Sequence, residues 1–164
     1  MVFGLALVAG VVGLTLSLSS GAALADGGEH HHDQHQHSSA DVTFTKWLVS
    51  AAGGMEGVVG GDVGTGTYAG QILSLVDDGT TTAIVADYHI NGRKHSLTAR
   101  VNVAQSDATG VAAITGVVTK GWLKGARLTG EYTVMPVCPI ATPGNVLGTL
   151  CFQGTLHIER GSKH

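Results

Sequence analysis

At 164 residues the chain has the length of one ordinary domain. With 43% hydrophobic residues, 13% charged residues and 25 glycines against 3 prolines, it is too apolar for a disordered protein and lacks the composition of a helical bundle. A formal charge of −3 offers no basic surface to a phosphate backbone, which argues against general nucleic-acid binding, and two cysteines are too few for a disulfide-dense scaffold or a four-cysteine zinc site.

Residues 2–25, VFGLALVAGVVGLTLSLSSGAALA, carry no charge and end in Ala23-Leu24-Ala25, a small-x-small cleavage pattern ahead of Asp26. The basic residue that should open a signal peptide is missing, and the run is almost long enough to span a bilayer, so an uncleaved anchor is the alternative. The placement of the cleavage pattern favours a cleaved signal peptide over 1–25. The mature chain is then expected to be secreted or otherwise extracytoplasmic, with no membrane contact. No cysteine follows the run, which argues against a lipid anchor.

Residues 26–41, DGGEHHHDQHQHSSAD, contain five of the nine histidines: His30, His31, His32, His35 and His37, with Glu29 and Asp33 among them. No large apolar residue is present, so the sequence predicts a disordered, His-rich leader. Neutral imidazoles are ligands for Zn, Cu and Ni, and a flexible tract can gather several around one divalent transition-metal ion. Without a fixed pattern such as H-E-x-x-H, weak and unselective binding is expected. The competing reading is a solvated spacer.

From 42 to 164 the pattern is that of β-structure. Strands are expected over Val42–Ala51, Thr67–Val76, Thr80–Ile90, Arg93–Ser106, Val111–Lys120, Ala126–Val137 and Phe152–Arg160, with a short one near Val58 and Val59. Turn signals separate them at Asp77-Asp78-Gly79, Asn91-Gly92, 107–110 and 121–125. Short strands at this spacing, with no helical pattern between them, predict an all-β fold, a small antiparallel meander β-barrel of about seven to eight strands.

Asn91-Gly92 predicts a two-residue type I′ hairpin, because both central residues of that turn need positive φ. Such a turn pairs Tyr88 with His95 and Ala86 with Leu97, and puts Tyr88, Ala86, Ile84, His95, Leu97 and Ala99 on the inward face. Tyr88 and His95 then meet near one end of the interior, where they are candidates for an acid–base pair. The plainer reading is a core tyrosine beside a solvent-facing histidine. His157, alternating with Leu156 and Ile158, should face solvent, while Trp47 and Trp122 either line a ligand cavity or plug the barrel. Asp87 and Glu131 lie on strands without a recognisable carboxylate pairing.

Cys138 and Cys151 flank the proline-containing loop before the last strand, and in an exported protein they predict a structural disulfide. No nucleophile elbow, P-loop or dinucleotide fingerprint is present, since the glycine-rich stretch 53–66 lacks the Lys-Ser/Thr pair and the following helix. No cofactor is therefore expected.

Gly64-Thr65-Gly66-Thr67-Tyr68-Ala69-Gly70, with Gly130-Glu131-Tyr132 and Gln153-Gly154-Thr155, resembles the G-x-G-x-Y/F-x-G texture of allene oxide cyclase and dirigent-type barrels. That resemblance implies an eight-stranded barrel that holds a reactive apolar molecule, but none of the family's catalytic residues can be matched here. Trp47 followed by Gly66-Thr67-Tyr68 is similar to the opening strands of avidins, a likeness that ends at Tyr68 and implies barrel architecture alone. The functional expectation is a non-enzymatic exported module that binds a small apolar ligand, with a metal-binding leader. Two alternatives are an isomerase- or cyclase-like barrel using Tyr88 and His95, and a structural surface-interaction module with a filled barrel.

Overall fold

A computed structural model describes residues 39–161. The expected signal peptide and the histidines of the leader lie outside the described residues. Among the described residues eight strands run in chain order: β1 Ser39–Leu48, β2 Gly54–Gly61, β3 Gly66–Asp77, β4 Thr81–Gly92, β5 Ser96–Ser106, β6 Val111–Gly121, β7 Arg127–Met135 and β8 Cys151–Glu159. Each pairs antiparallel with the next, and β1 pairs with β8 to close the barrel. Closure leaves no sheet edge exposed, which a chain this rich in bare β-surface requires. The all-β meander barrel read from the sequence is what the chain forms.

The domain boundary differs from the expected one by three residues. β1 begins at Ser39, inside the segment 26–41 assigned to the leader, because Ser39, Ala40 and Asp41 pair with Glu159, Ile158 and His157 on β8. Ala40 is buried with the core. Polar Ser39 and Asp41 hide this strand start, since their side chains occupy the outward positions on either side of Ala40.

The hairpin between β4 and β5 is longer than Asn91-Gly92 predicts. Strand pairing continues through Asn91, opposite Ser96, and the connection runs over 93–95 with Gly92 N–H donating to the His95 carbonyl at 3.0 Å. Tertiary pairing overrides the local turn preference here. Asn91 and Gly92 also pair with Thr67 and Gly66 on β3, and Lys94 N–H donates to the Val63 carbonyl at 2.9 Å. A Cβ at Gly92 would lie 2.2 Å from the Val63 oxygen, so this glycine provides room for a neighbouring loop. Tyr88 consequently faces Ala99 and not His95. The offset is four residues, an even number, so the inward assignments of Tyr88, Ala86, Leu97 and Ala99 stand, all of them buried.

The two ends of the barrel are unlike. At one end the segments 62–65, 93–95 and 122–126 bring Val63, Leu123 and Ala126 over the core, where they pack with Ile90, Leu97 and Val118. Leu123 holds a positive φ of 57° to plug this end. The other end carries the connections 49–53, 78–80, 107–110 and 136–150. The last of these is tied by the Cys138–Cys151 disulfide and by Val146 N–H donating to the Leu48 carbonyl at 2.9 Å. Trp47 is buried under it, its indole N–H donating to the Pro143 carbonyl at 3.1 Å.

Inside, bulky side chains stand opposite glycines. Lys46 and Tyr68 both face Gly57, Tyr88 faces Gly70, and Tyr132 faces Gly154. An eight-stranded barrel has an interior just wide enough for its side chains, so each ring needs a bare neighbour. A Cβ at Gly70 would lie 2.7 Å from the Tyr68 hydroxyl, and one at Gly154 2.7 Å from Tyr132 Cβ. The glycine–aromatic texture of the sequence is therefore a packing code for the interior.

Candidate functional site

β1 alternates Ala40, Val42, Phe44, Lys46 and Leu48 toward the interior, and so carries a lysine into the core. Lys46 is 3% exposed. Among the described residues it and Thr45 are the buried polar or charged residues, and no carboxylate is buried with the amine. Burial pushes the Lys46 ammonium down to about 7, close to neutrality at ordinary pH.

The surroundings of the amine are aromatic. Lys46 Nζ hydrogen-bonds the Tyr88 hydroxyl. It lies 4.3 Å from the ring centroid of Tyr88, 4.7 Å from Tyr132, 5.4 Å from Phe44, 5.8 Å from Tyr68 and 5.9 Å from Phe152. Ring faces attract a cation, which offsets part of the lost hydration without supplying a counter-charge. Tyr68 and Tyr88 pack edge to face at 5.1 Å, as do Tyr132 and Phe152 at 5.4 Å, so the rings of the cage support one another in pairs. Burial raises all three phenols above their ordinary range, and the neighbouring Tyr88 adds to the rise at Tyr68. These hydroxyls are proton-bearing donors at neutral pH.

A cavity of about 160 Å³ opens above this cage, toward the end that carries the 78–80 connection. Its wall is largely apolar, from Leu48, Met55, Ile72, Ile84, Val103 and Phe152. Its polar groups are Lys46, Tyr88, Tyr132, Gln105 and Thr82, with the Tyr132 hydroxyl donating to Gln105 Oε1 at 2.9 Å. Leu75, 54% exposed on the β3 arm, forms the rim. An apolar protein cavity of about 150 Å³ holds benzene, whereas pockets for drug-sized ligands start at roughly 300 Å³. The space is suited to a ligand of benzene scale.

Of the candidate pair from sequence, Tyr88 belongs to this site and His95 does not. His95 lies at the plugged end, half-buried, with its ring stacked on Trp122 at 3.8 Å between centroids. The hydroxyl of Tyr88 thus meets Lys46 and not His95, because the hairpin register carries His95 past the end of β4. Neither Trp47 nor Trp122 lines the cavity. His89 and His157 are exposed on the outer face, and His157 Nδ1 lies 2.8 Å from Asp41 Oδ1. Asp87 is engaged by Arg100 and Glu131 is exposed. Among the described residues no cluster of His, Cys, Asp and Glu could hold a metal ion. His30, His31, His32, His35 and His37 lie outside them.

Lys46 was within reach of the sequence. In VTFTKWLVSA the two-residue period that buries Val42 and Phe44 also buries Lys46, but a lysine amid Thr, Trp and Ser reads as a surface residue. The flanking outward position is filled by Trp47, whose cover comes from a loop about a hundred residues away, and this obscures the alternation. In comparison with known proteins, no protein-family model, no curated protein and no solved structure matches the chain.

Proposed function

We propose that the chain is an exported binding module whose barrel takes up a small apolar ligand, with the ligand's polar group meeting Lys46 and Tyr88. The observation that carries this reading is a cavity of about 160 Å³ whose apolar wall converges on one buried amine and its tyrosine partner. A barrel filled for stability alone has no need of that amine. Leucine or methionine in its place would avoid the desolvation cost of a charge without a counter-ion. The Cys138–Cys151 disulfide supports an oxidising, extracytoplasmic location. The likeness to cyclase and dirigent-type barrels is of a piece with an apolar guest, and a proton-transfer role, if the barrel catalyses, falls to Lys46 and Tyr88.

The test is displacement of a fluorescent apolar probe by benzyl alcohol, toluene and cyclohexanol, compared between the wild-type chain and Ala86→Phe, which fills the cavity. Competition by these compounds, lost in Ala86→Phe, supports the reading. Equal behaviour of the two proteins overturns it.

The second part of the proposal is that the leader captures transition metal through His30, His31, His32, His35 and His37. Calorimetric titration of Zn²⁺, Cu²⁺ and Ni²⁺ into the chain, and into a version lacking residues 26–40, tests this. Binding that disappears with the leader supports a metal-capturing arm. Binding that survives moves the site to the domain, where His89, His95 and His157 are the first residues to substitute.

A further inference from the structure

The barrel interior presents a primary amine without a carboxylate partner, at the base of an apolar cavity and in hydrogen-bond contact with a phenol. From this geometry we infer that Lys46 is an imine-forming residue and that the ligand of the barrel is a small apolar aldehyde, held as a reversible covalent adduct. The inference rests on the binding reading above and names the chemical class of its ligand.

The chemistry balances without any further reagent. The Nζ lone pair attacks the carbonyl carbon, and the carbonyl π pair moves onto oxygen. A proton passes from nitrogen to that oxygen, giving the carbinolamine. The carbon–oxygen bond then breaks, water leaves, and a carbon–nitrogen double bond remains. Tyr88, already hydrogen-bonded to Nζ, is placed to give a proton to the departing oxygen and to take one back from nitrogen. Desolvation favours the neutral, nucleophilic form of the amine, a recognised route to imine-forming lysines.

The surroundings select an aldehyde over a carboxylic acid. Five ring faces lie within 6 Å of Nζ, and their negative potential stabilises a protonated imine but repels a carboxylate. A carboxylate would also need several donors, while the Tyr132 hydroxyl is already committed to Gln105. The titratable groups that face the amine are Tyr68, Tyr88 and Tyr132, whose phenols stay protonated at neutral pH. The other lysines of the described residues, Lys94, Lys120 and Lys124, are exposed on the outside.

The test is reductive trapping. The chain is incubated with benzaldehyde and sodium cyanoborohydride at pH 7, and the site and rate of benzylation are mapped by peptide mass spectrometry. The expected result is modification of Lys46 at least tenfold faster than of Lys94, Lys120 or Lys124, abolished at that position in Lys46→Met. Tyr88→Phe should slow the trapping several-fold, and by a larger factor than it weakens the binding of benzyl alcohol, which meets the same hydroxyl but cannot form an imine. Labelling of the surface lysines with Lys46 untouched overturns the inference, and so does trapping that is indifferent to Tyr88. If benzyl alcohol binds while Lys46 stays unlabelled, the aldehyde inference fails and the binding reading survives. If neither occurs, both fail.

Discussion

Lys46→Met separates the cost of burying this amine from everything else the barrel does. In the unfolded chain the amine titrates near 10.5, and in the folded barrel near 7. Between these values the unfolded state binds more protons than the folded one, so wild-type stability must rise as pH increases through that window. The gradient approaches roughly 1.4 kcal/mol per pH unit, or about 5 kcal/mol over the whole window. Below pH 7 both states are protonated and the contribution is flat. At pH 7 the folded barrel bears about 4 kcal/mol of this penalty.

Methionine keeps the length of the stem and removes the charge, so the variant should be more stable at pH 7. The gain is reduced by about 1–3 kcal/mol for the Tyr88 hydroxyl that loses its partner. The assay is urea unfolding of both proteins at half-unit steps from pH 6 to 9.5, read as the difference between the two free energies. Raised phenol pKa values at Tyr68, Tyr88 and Tyr132 lower stability only as the unfolded tyrosines begin to ionise. They are common to both proteins and cancel in the difference. The advantage of the variant should shrink steadily from pH 7 to pH 9.5. Curves that stay parallel across that range would refute the reasoning, because they would mean that Lys46 remains a fully hydrated ammonium.

Three further outcomes follow from the same structure. Replacing Cys138 and Cys151 by serine should lower stability by about 3 kcal/mol, as expected for a closed loop of this size, and should alter Trp47 fluorescence as the 136–150 segment loosens from β1. Urea unfolding and emission spectra check this. Gly154→Ala puts a methyl 2.0 Å from the Glu131 carbonyl and against Tyr132, so it should destabilise by about 1–3 kcal/mol through overpacking and weaken benzyl alcohol binding by tilting that ring, read by thermal melts and probe displacement. His157 is raised above its ordinary value by its hydrogen bond to Asp41, so its contribution to stability is fully present below pH 6.5 and is lost as pH rises through the folded value. An NMR titration should show the raised value in the wild type and its return toward 6.5 in Asp41→Asn.

Local pattern was enough to reveal the strands, their meander order, the disulfide and the faces of Tyr88, Leu97, Ala99 and His157, whereas closure of the barrel rests on β1 pairing with β8. Each of those local features follows from two-residue alternation, from turn residues between strands or from a paired-cysteine count, and none requires knowledge of distant neighbours. Even the glycine texture of 64–70, 130–132 and 153–155 carried true information, although its meaning, room for Tyr68, Tyr88 and Tyr132, became visible only with the strand registers. Tertiary structure decided the rest. The Asn91-Gly92 turn yielded to pairing with Thr67 and Gly66 and to the loop at Val63, which moved His95 four residues away from Tyr88. The ring around Lys46 is drawn from β1, β3, β4, β7 and β8, so no window of sequence contains it. Alternation can say that a lysine points inward, but only closure of the barrel determines that it meets five rings, one hydroxyl and no carboxylate.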